Sequence, residues 1–519
     1  MTAVIIPLAG APSASLTWPT IDWETVITEV RRLQMRIAKA FREGRRGKAK
    51  ALQWLLTHSF YAKLLAVKRV VSNQGAKTPG IDEIVWKSSA DKMEAVNSLK
   101  RRGYKTLPLK RIYIPKKQKG KFRPLSIPPM ICRAQQALHL LSLEPVSEML
   151  ADKHTYGFRP LKSTADAIEQ CFTVLARKTS AQWILEGDIK ACFDSISKSW
   201  LCENTPMDKI MLRKWLDAGY IDKGEFYPTE QGVAQGGPIS PALLLVTLSG
   251  MESTIKRSVN SKDKVNVVVY ADDFIVTGAT KEVLENKVKP AIEGFLRERG
   301  LTLSQEKTKL THINEGFDFL GVNIRKYKSK LIMKPAKSNV KRFLVTMRET
   351  IKQMAAVKTE ILIQRLNSKI RGWANYYRHV CSSQTFSYVD YQIFQALWRW
   401  ATKRHSNKGK RWIHKNYFRS KAQRNWVFYA KVKAKEKGAP STYLDLIKAS
   451  DTPIKRHIKM KAEATPYKSE YHEYLTERLA KRRGNNKPKR AIWWLSWWNL
   501  LKPRKERPKV TGSLEGVAL

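Results

Sequence analysis

Acidic residues are in short supply in this chain: 45 Asp and Glu stand against 96 Lys and Arg, a formal net charge of +51 over 519 residues. That imbalance argues against an ordinary metabolic enzyme and for a polyanionic partner. Basic residues run from Arg31 to Lys509 rather than in one tail, so nucleic acid fits better than a membrane surface. Cysteine is also scarce. Cys132, Cys171, Cys192, Cys202 and Cys381 show no close pairing, and the nine histidines have no zinc-ligand spacing. Neither a disulfide framework nor a structural zinc is expected, and the compartment is a reducing one. No apolar run approaches the roughly 20 residues of a membrane span. Met1 to Ser15 is partly apolar but lacks the basic start of a signal peptide, so it reads as an N-terminal arm and the protein is expected in the cytoplasm, associated with the nucleoid.

What is present is organised around two adjacent carboxylates. Val267, Val268 and Val269 precede them and Phe274, Ile275 and Val276 follow, two short β-branched and aromatic runs that predict strands on either side of a tight reversal. Asp272 and Asp273 then sit at the hairpin tip. Side by side they repel, and hard divalent cations are the usual remedy, although an ordinary hairpin turn also favours Asp. A second stretch, Trp183 to Asp194, again ends a hydrophobic run on a carboxylate, Asp188. Metal-dependent phosphoryl transfer draws carboxylates from separate strands around two ions about 3.5–4 Å apart, and Asp188, Asp272 and Asp273 meet that requirement. Asp194 is a further candidate ligand, or equally a helix-start residue.

By length the chain suggests about three or four domains. Val26, Val30, Leu33, Ile37 and Phe41 recur at helical steps, with Arg31, Arg32, Arg36 and Lys39 on the other face, and the basic segment Arg42 to Lys50 follows. Lys110 to Pro128 reads as a hairpin with cations on its arms and Gly120 near its tip, suited to a triphosphate or equally to a template backbone. Tyr156-Gly157-Phe158-Arg159-Pro160 is a compact turn, after which Ser163 caps a core helix. In Thr229 to Pro241 the glycines permit close approach of backbone to a ligand, Gln235 is placed to touch a substrate, and Ser240-Pro241 starts a helix. Val340, Phe343, Leu344, Met347, Ile351 and Met354 trace one face of a later helix. Beyond Ile370, aromatics interleave with cations, a composition able to stack on unpaired bases and neutralise phosphates.

These motifs, in this order, resemble the reverse transcriptases of bacterial group II introns, with Tyr270-Ala271-Asp272-Asp273 as that family's signature box and similarity from Ile21 to Tyr467. The resemblance implies an α+β fold: a right-hand polymerase with fingers, a palm built on an antiparallel sheet and a helical thumb, then a mostly α-helical maturase module. Residues 1–20 would form the arm, 21–330 an N-terminal extension with fingers and palm, and 331–420 the thumb and maturase domain. Residues 421–475 would contact DNA, and 476–519 would be a basic tail with an aromatic anchor at Trp493 to Trp498.

The resemblance further implies an RNA-directed DNA polymerase that transfers nucleotides from dNTPs to a primer 3′-hydroxyl with two Mg²⁺ ions on Asp188, Asp272 and Asp273. Lys116 and Arg123 match residues that hold the triphosphate, and Phe193 the aromatic gate that excludes a 2′-hydroxyl. Gln235 matches the pocket lining and Lys307 a proton donor to pyrophosphate. Gly316 to Gly321 matches the segment that steadies the primer end. Intron RNA would meet Arg371, Trp373, Tyr376, Tyr377, Arg378, Trp398, Arg399, Lys403 and Arg404. Template RNA and primer or target DNA are the other partners, and a homodimer is left open. The sequence departs from the family pattern at Lys198, Ala234 and Leu245, and it lacks the paired cysteines of the endonuclease that many relatives carry, so DNA cleavage is not expected. Two other readings stand beside this one: a maturase that mainly binds RNA, and a domesticated reverse transcriptase in host DNA repair or defence.

Overall fold

The structure, a computed structural model, describes residues 17–115, 120, 122–432 and 442–482. Lys116, most of the N-terminal arm and the tail beyond Arg482 with its Trp493 to Trp498 cluster lie outside the described residues. The described chain is mixed α+β and packs as two compact units, the first from 17–167, 184–310 and 460–482, the second chiefly from 168–183 and 311–459.

In the first unit three N-terminal helices, Trp23–Arg42, Arg46–His58 and Phe60–Val71, bury one face against the helix Met130–Leu150. The first begins where the Asp22 carboxylate accepts the Glu24 amide, and its buried Val26, Val30, Ile37 and Phe41 are the apolar stripe expected from their spacing. Met130–Leu150 is buried almost throughout, as a helix apolar on most sides must be. Two small sheets accompany these helices. One contains the antiparallel hairpin of β1 (Leu109–Pro115) and β2 (Phe122–Ile127), with Ile114 opposite Arg123 and Gly120 in the connection at φ 82°. Its strand order is β2-β1-β4-β5, where β3 (Trp183–Asp188) belongs elsewhere and β4 (Tyr220–Asp222) and β5 (Glu225–Tyr227) form a second short hairpin. The other sheet is built on β6 (Asn266–Tyr270) and β7 (Asp273–Gly278), antiparallel with Val267 opposite Val276 and Val268 opposite Ile275. Its order is β6-β7-β3-β8, and the chain leaves the first unit within β8 (Lys309–His312).

Residues 460–482 return to this unit. The Met460 amide donates to the buried Asp166 carboxylate at 2.7 Å, and the Tyr467 hydroxyl donates to Glu144 at 2.9 Å. The Arg31 guanidinium lies over the Tyr467 ring, 4.4 Å from its centre, and donates to the Pro466 carbonyl. Residues 460–482 thus pack beside the N-terminal helices, where Asp166, Glu144 and Arg31 take partners from them.

The second unit opens with an antiparallel meander of β9 (Phe317–Phe319), β10 (Val322–Tyr327) and β11 (Lys330–Pro335). The helices Lys337–Gln353, Thr359–Tyr377, Ser383–Arg404 and Lys410–Tyr417 follow, the first burying Val340, Leu344, Met347 and Ile351. Beyond these helices the chain forms an antiparallel sheet of β12 (Phe418–Lys421), β13 (Arg424–Val432) and β14 (Thr442–Asp445). Among the described residues no helix is long and apolar enough to cross a membrane.

Candidate active site

The β6–β7 hairpin closes on the pair Tyr270 and Asp273, leaving Ala271 and Asp272 as a two-residue loop. Ala271 has φ 58°, a left-handed conformation that costs an L residue about 1 kcal/mol and that tends to be stored at functional sites. Below the turn Phe274 is buried against Gly187 of β3, where a side chain at 187 would overlap its ring. That contact seats β7 beside β3 and brings the end of β3, Asp188, to the same edge of the sheet as Asp272 and Asp273. The carbonyl of Asp188 accepts the Ser304 amide at 2.8 Å, and its carboxylate accepts from Lys307 Nζ at 2.8 Å.

Cys192 reports on the field at this edge. Burial pushes its thiol up, and the carboxylates of Asp272, Asp188 and Asp194 push it further in the same direction, so all three act on one buried sulfur. Among the described residues no group of three or more His, Cys, Asp and Glu is drawn together closely enough to hold a metal ion as it stands. The donor chemistry nevertheless fits Mg²⁺: these are hard oxygen ligands from neighbouring strand ends, and the Asp188 carboxylate already attracts a cation, the Lys307 ammonium.

Phe193 stands on the short helix Cys192–Ser195 and is tied to the glycine-rich segment. Its carbonyl accepts the Val233 amide at 2.6 Å, and a side chain at Gly232 (φ 84°) would strike the backbone of Phe193 and Asp194. From there the segment runs to β2, where the Gln235 carbonyl accepts the Ser126 amide at 2.8 Å, three residues along that strand from the exposed Arg123. Phe193 and the Gln235 backbone are thus linked through one glycine-rich segment. The departures from the family pattern have local roles. Lys198 bonds Asp217 at 2.8 Å and the Thr229 carbonyl, the Ala234 carbonyl accepts the Ser240 hydroxyl at 2.8 Å, and Leu245 is buried.

The turn Tyr156 to Pro160, read from sequence only as compact, proves to be part of this edge. The Tyr156 amide donates to the Val269 carbonyl at 2.8 Å, and the Val269 amide to the His154 carbonyl at 3.0 Å, so the segment runs beside β6 up to the carboxylate loop. A Cβ on Gly157 would lie 2.2 Å from the Ala271 nitrogen. Arg159 is buried and meets the buried Glu148 carboxylate with two hydrogen bonds, 2.8 and 3.1 Å, while a third nitrogen donates to the carbonyls of Asp152 and Thr155. A glycine beside an aromatic and an arginine was the available signal, and nothing in the sequence named the partners.

Of the residues expected to meet RNA, several have packing roles in the second unit. Trp373 stacks on Phe343 at 4.6 Å, and the Tyr376 and Tyr377 hydroxyls donate to the carbonyls of Leu320 and Gly321. Trp398 belongs to an aromatic cluster with Phe418 and Trp426, and Arg404 donates to the carbonyls of Ala355 and Val357. Arg378 is half-buried, and its carbonyl accepts the Lys455 amide. Arg371, Arg399 and Lys403 are exposed.

Comparison with known proteins places the chain among reverse transcriptases. A model described as reverse transcriptase (RNA-dependent DNA polymerase) matches residues 114–324, one described as the N-terminal domain of reverse transcriptase matches 18–99, and one described as the group II intron, maturase-specific domain matches 340–418. Protein YkfC of Escherichia coli (strain K12) is 32% identical over 313 residues, 51% of this chain and 80% of that protein. Group II intron-encoded protein LtrA of Lactococcus lactis subsp. cremoris is 26% identical over 437 residues, 65% of this chain and 72% of that protein. A solved structure of telomerase from Candida albicans with a fragment of telomeric RNA aligns at TM-score 0.35 and 13% identity, covering 60% of this chain and 64% of that one, too distant to bear on the argument. The chain belongs to the group II intron reverse transcriptase/maturase family, a family of RNA-directed DNA polymerases.

Proposed function

We propose that the protein extends a primer 3′-hydroxyl with dNTPs on an RNA template and also binds its intron RNA as a splicing cofactor, acting at the nucleoid. The observation that supports the polymerase reading is that Asp188 ends β3 and Asp273 begins β7 in one sheet, with the buried Cys192 thiol in the field of both Asp188 and Asp272. Asp188, Asp272 and Asp273 would hold two Mg²⁺ ions. When bound, these would neutralise the attacking and leaving oxygens of the transfer. Arg123 on the β1–β2 hairpin would meet the triphosphate, as would Lys116, with the hairpin corresponding to fingers, β3, β6 and β7 to a palm, and helices of the second unit to a thumb. Gln235 lines the pocket, and the Phe193 ring lies under the sugar, where a 2′-hydroxyl would collide with it. Lys307, now paired with Asp188, would carry its proton to the departing pyrophosphate once that carboxylate takes a metal instead. For the RNA-binding role the exposed Arg371, Arg399 and Lys403 supply charge for phosphates.

The test is primer extension by the purified protein on an RNA template with dNTPs and Mg²⁺, beside Asp272→Asn and a ribonucleotide control. Extension by the parent, abolished in the variant, is expected. A well-folded parent that binds RNA tightly and extends nothing would overturn the polymerase reading and leave an RNA-binding maturase.

A further inference from the structure

We propose that Phe158 is a positioning residue that sets the Phe193 ring against the sugar of the incoming nucleotide and so contributes to rejection of ribonucleotides; this rests on the polymerase reading above. Along Thr155 to Pro160 every side chain is buried except one: Tyr156 is 1% exposed and Arg159 7%, while Phe158 between them is 44% exposed. Phe158 has φ 60°, a left-handed conformation that is a true outlier for a bulky residue and persists only where the surroundings over-determine it.

The surroundings do so from both sides. On the N-terminal side the amide of Tyr156 is bonded to β6, and Gly157 is pressed against the Ala271 backbone. On the C-terminal side Arg159 is fastened to Glu148 by two hydrogen bonds and to two backbone carbonyls. The backbone of the strained residue is therefore held from both sides, and its ring stands edge-on to Phe193, ring centres 6.4 Å apart and planes at 71°. An edge-to-face contact of this kind favours one orientation of the partner ring. Phe193 has backbone support from Val233, but the only aromatic ring paired with it among the described residues is Phe158. The same segment that presses on the carboxylate loop through Gly157 thus meets the gate ring through Phe158.

The experiment compares kcat/KM for a dNTP and the matching rNTP in single-nucleotide primer extension, for the parent, Phe158→Ala, Phe158→Tyr, Phe193→Ala and the Phe158→Ala/Phe193→Ala pair. Phe158→Gly is added because it removes the ring and the left-handed strain together, and so folds if strain alone threatens the Ala variant. The energy of one aromatic pair corresponds to a factor of roughly 2 to 12, so Phe158→Ala and Phe158→Gly should lower the dNTP/rNTP preference by about that factor while leaving kcat for the dNTP nearly unchanged. Phe158→Tyr should retain the preference. In the Phe193→Ala background removal of Phe158 should have no further effect, because Phe158 acts through that ring. Equal losses on dNTP and rNTP, or a further drop in preference when Phe193 is already absent, would overturn the proposal. Relaxed selectivity in Phe193→Ala with none in either Phe158 variant would overturn it alone, whereas a parent that extends nothing would overturn the polymerase reading with it.

Discussion

Gly157→Ala is the sharpest probe of how the carboxylate loop is held. The glycine is not in a left-handed conformation, so an alanine there is free of backbone strain and the whole effect must come from space. The added Cβ would lie 2.2 Å from the Ala271 nitrogen, 2.9 Å from the Tyr270 carbonyl carbon and 3.0 Å from the Ala271 Cα. Ordinary contact begins near 3.4 Å, so one side must retreat by about an ångström. The Gly157 side cannot yield easily, because Tyr156 is bonded to β6 and Arg159 to Glu148 on either side of it. The loop bearing Asp272 is therefore the part that moves. A misplacement of about 1 Å at a reacting centre costs on the order of 100-fold in rate, while the overpacking itself costs roughly 1–3 kcal/mol of stability. Gly372→Ala is the control: it lies in the helix Thr359–Tyr377 with nothing within 4 Å of its Cβ position, and should be neutral for extension and stabilising by about 1 kcal/mol. The assay is primer extension under single-turnover conditions, on protein whose folding is checked by circular dichroism. A folded Gly157→Ala that extends within about threefold of the parent would refute the claim that this contact fixes the loop.

Two further outcomes are expected. Arg159→Met leaves the Glu148 carboxylate buried without its cation, which should cost about 3–5 kcal/mol in urea unfolding, whereas Glu148→Leu with Arg159→Met should recover much of that loss; a single variant no less stable than the double would contradict it. His139, buried edge-on to Trp215 at 5.3 Å, has its pKa pushed from 6.5 to about 4 by burial. Between those values the unfolded chain binds the proton and the folded one does not, so stability falls as pH drops from 6.5 to 4, by roughly 3 kcal/mol in all. Unfolding midpoints measured across that range should lose this slope in His139→Leu. Glu252 titrates in a lower window: burial raises its pKa, but hydrogen bonds from His154 and Lys256 outweigh that and hold it at about 2, so its contribution is lost only between 4.5 and 2.

The carboxylate hairpin was legible because its physics is local. Val267 to Val269 and Phe274 to Val276 are strand-forming runs, and two charges between them can only be a tip. The helix stripes at Val26 to Phe41 and Val340 to Ile351 were legible for the same reason. The aromatic and basic stretch beyond Ile370 was harder to divide. Trp373 stacked on Phe343 and an exposed Arg371 two residues away have the same composition signature, and only tertiary packing separates core from surface. The strands β12 to β14 were hidden because β13, Arg424 to Val432, buries Val427 and Phe428 in succession and so lacks a clean period of two.

What no local reading could supply is the pairing of buried charges across distant sequence. Asp166 takes the Met460 amide 294 residues on and Glu144 the Tyr467 hydroxyl 323 residues on, while Glu148 takes Arg159 only 11 residues away. Glu144 and Glu148 stand four residues apart on the helix Met130–Leu150, and so on one face of it. One turn of that helix receives the returning segment, and the next anchors the segment that ends in Phe158 and presses on the carboxylate loop. A buried carboxylate is costly unless its partner is in place, so each of these pairs demands a particular neighbour where an apolar contact would accept many. Residues 460–482 therefore belong physically with the N-terminal helices, and the same buried helix that receives them also anchors, through Glu148 and Arg159, the segment whose Gly157 lies against Ala271.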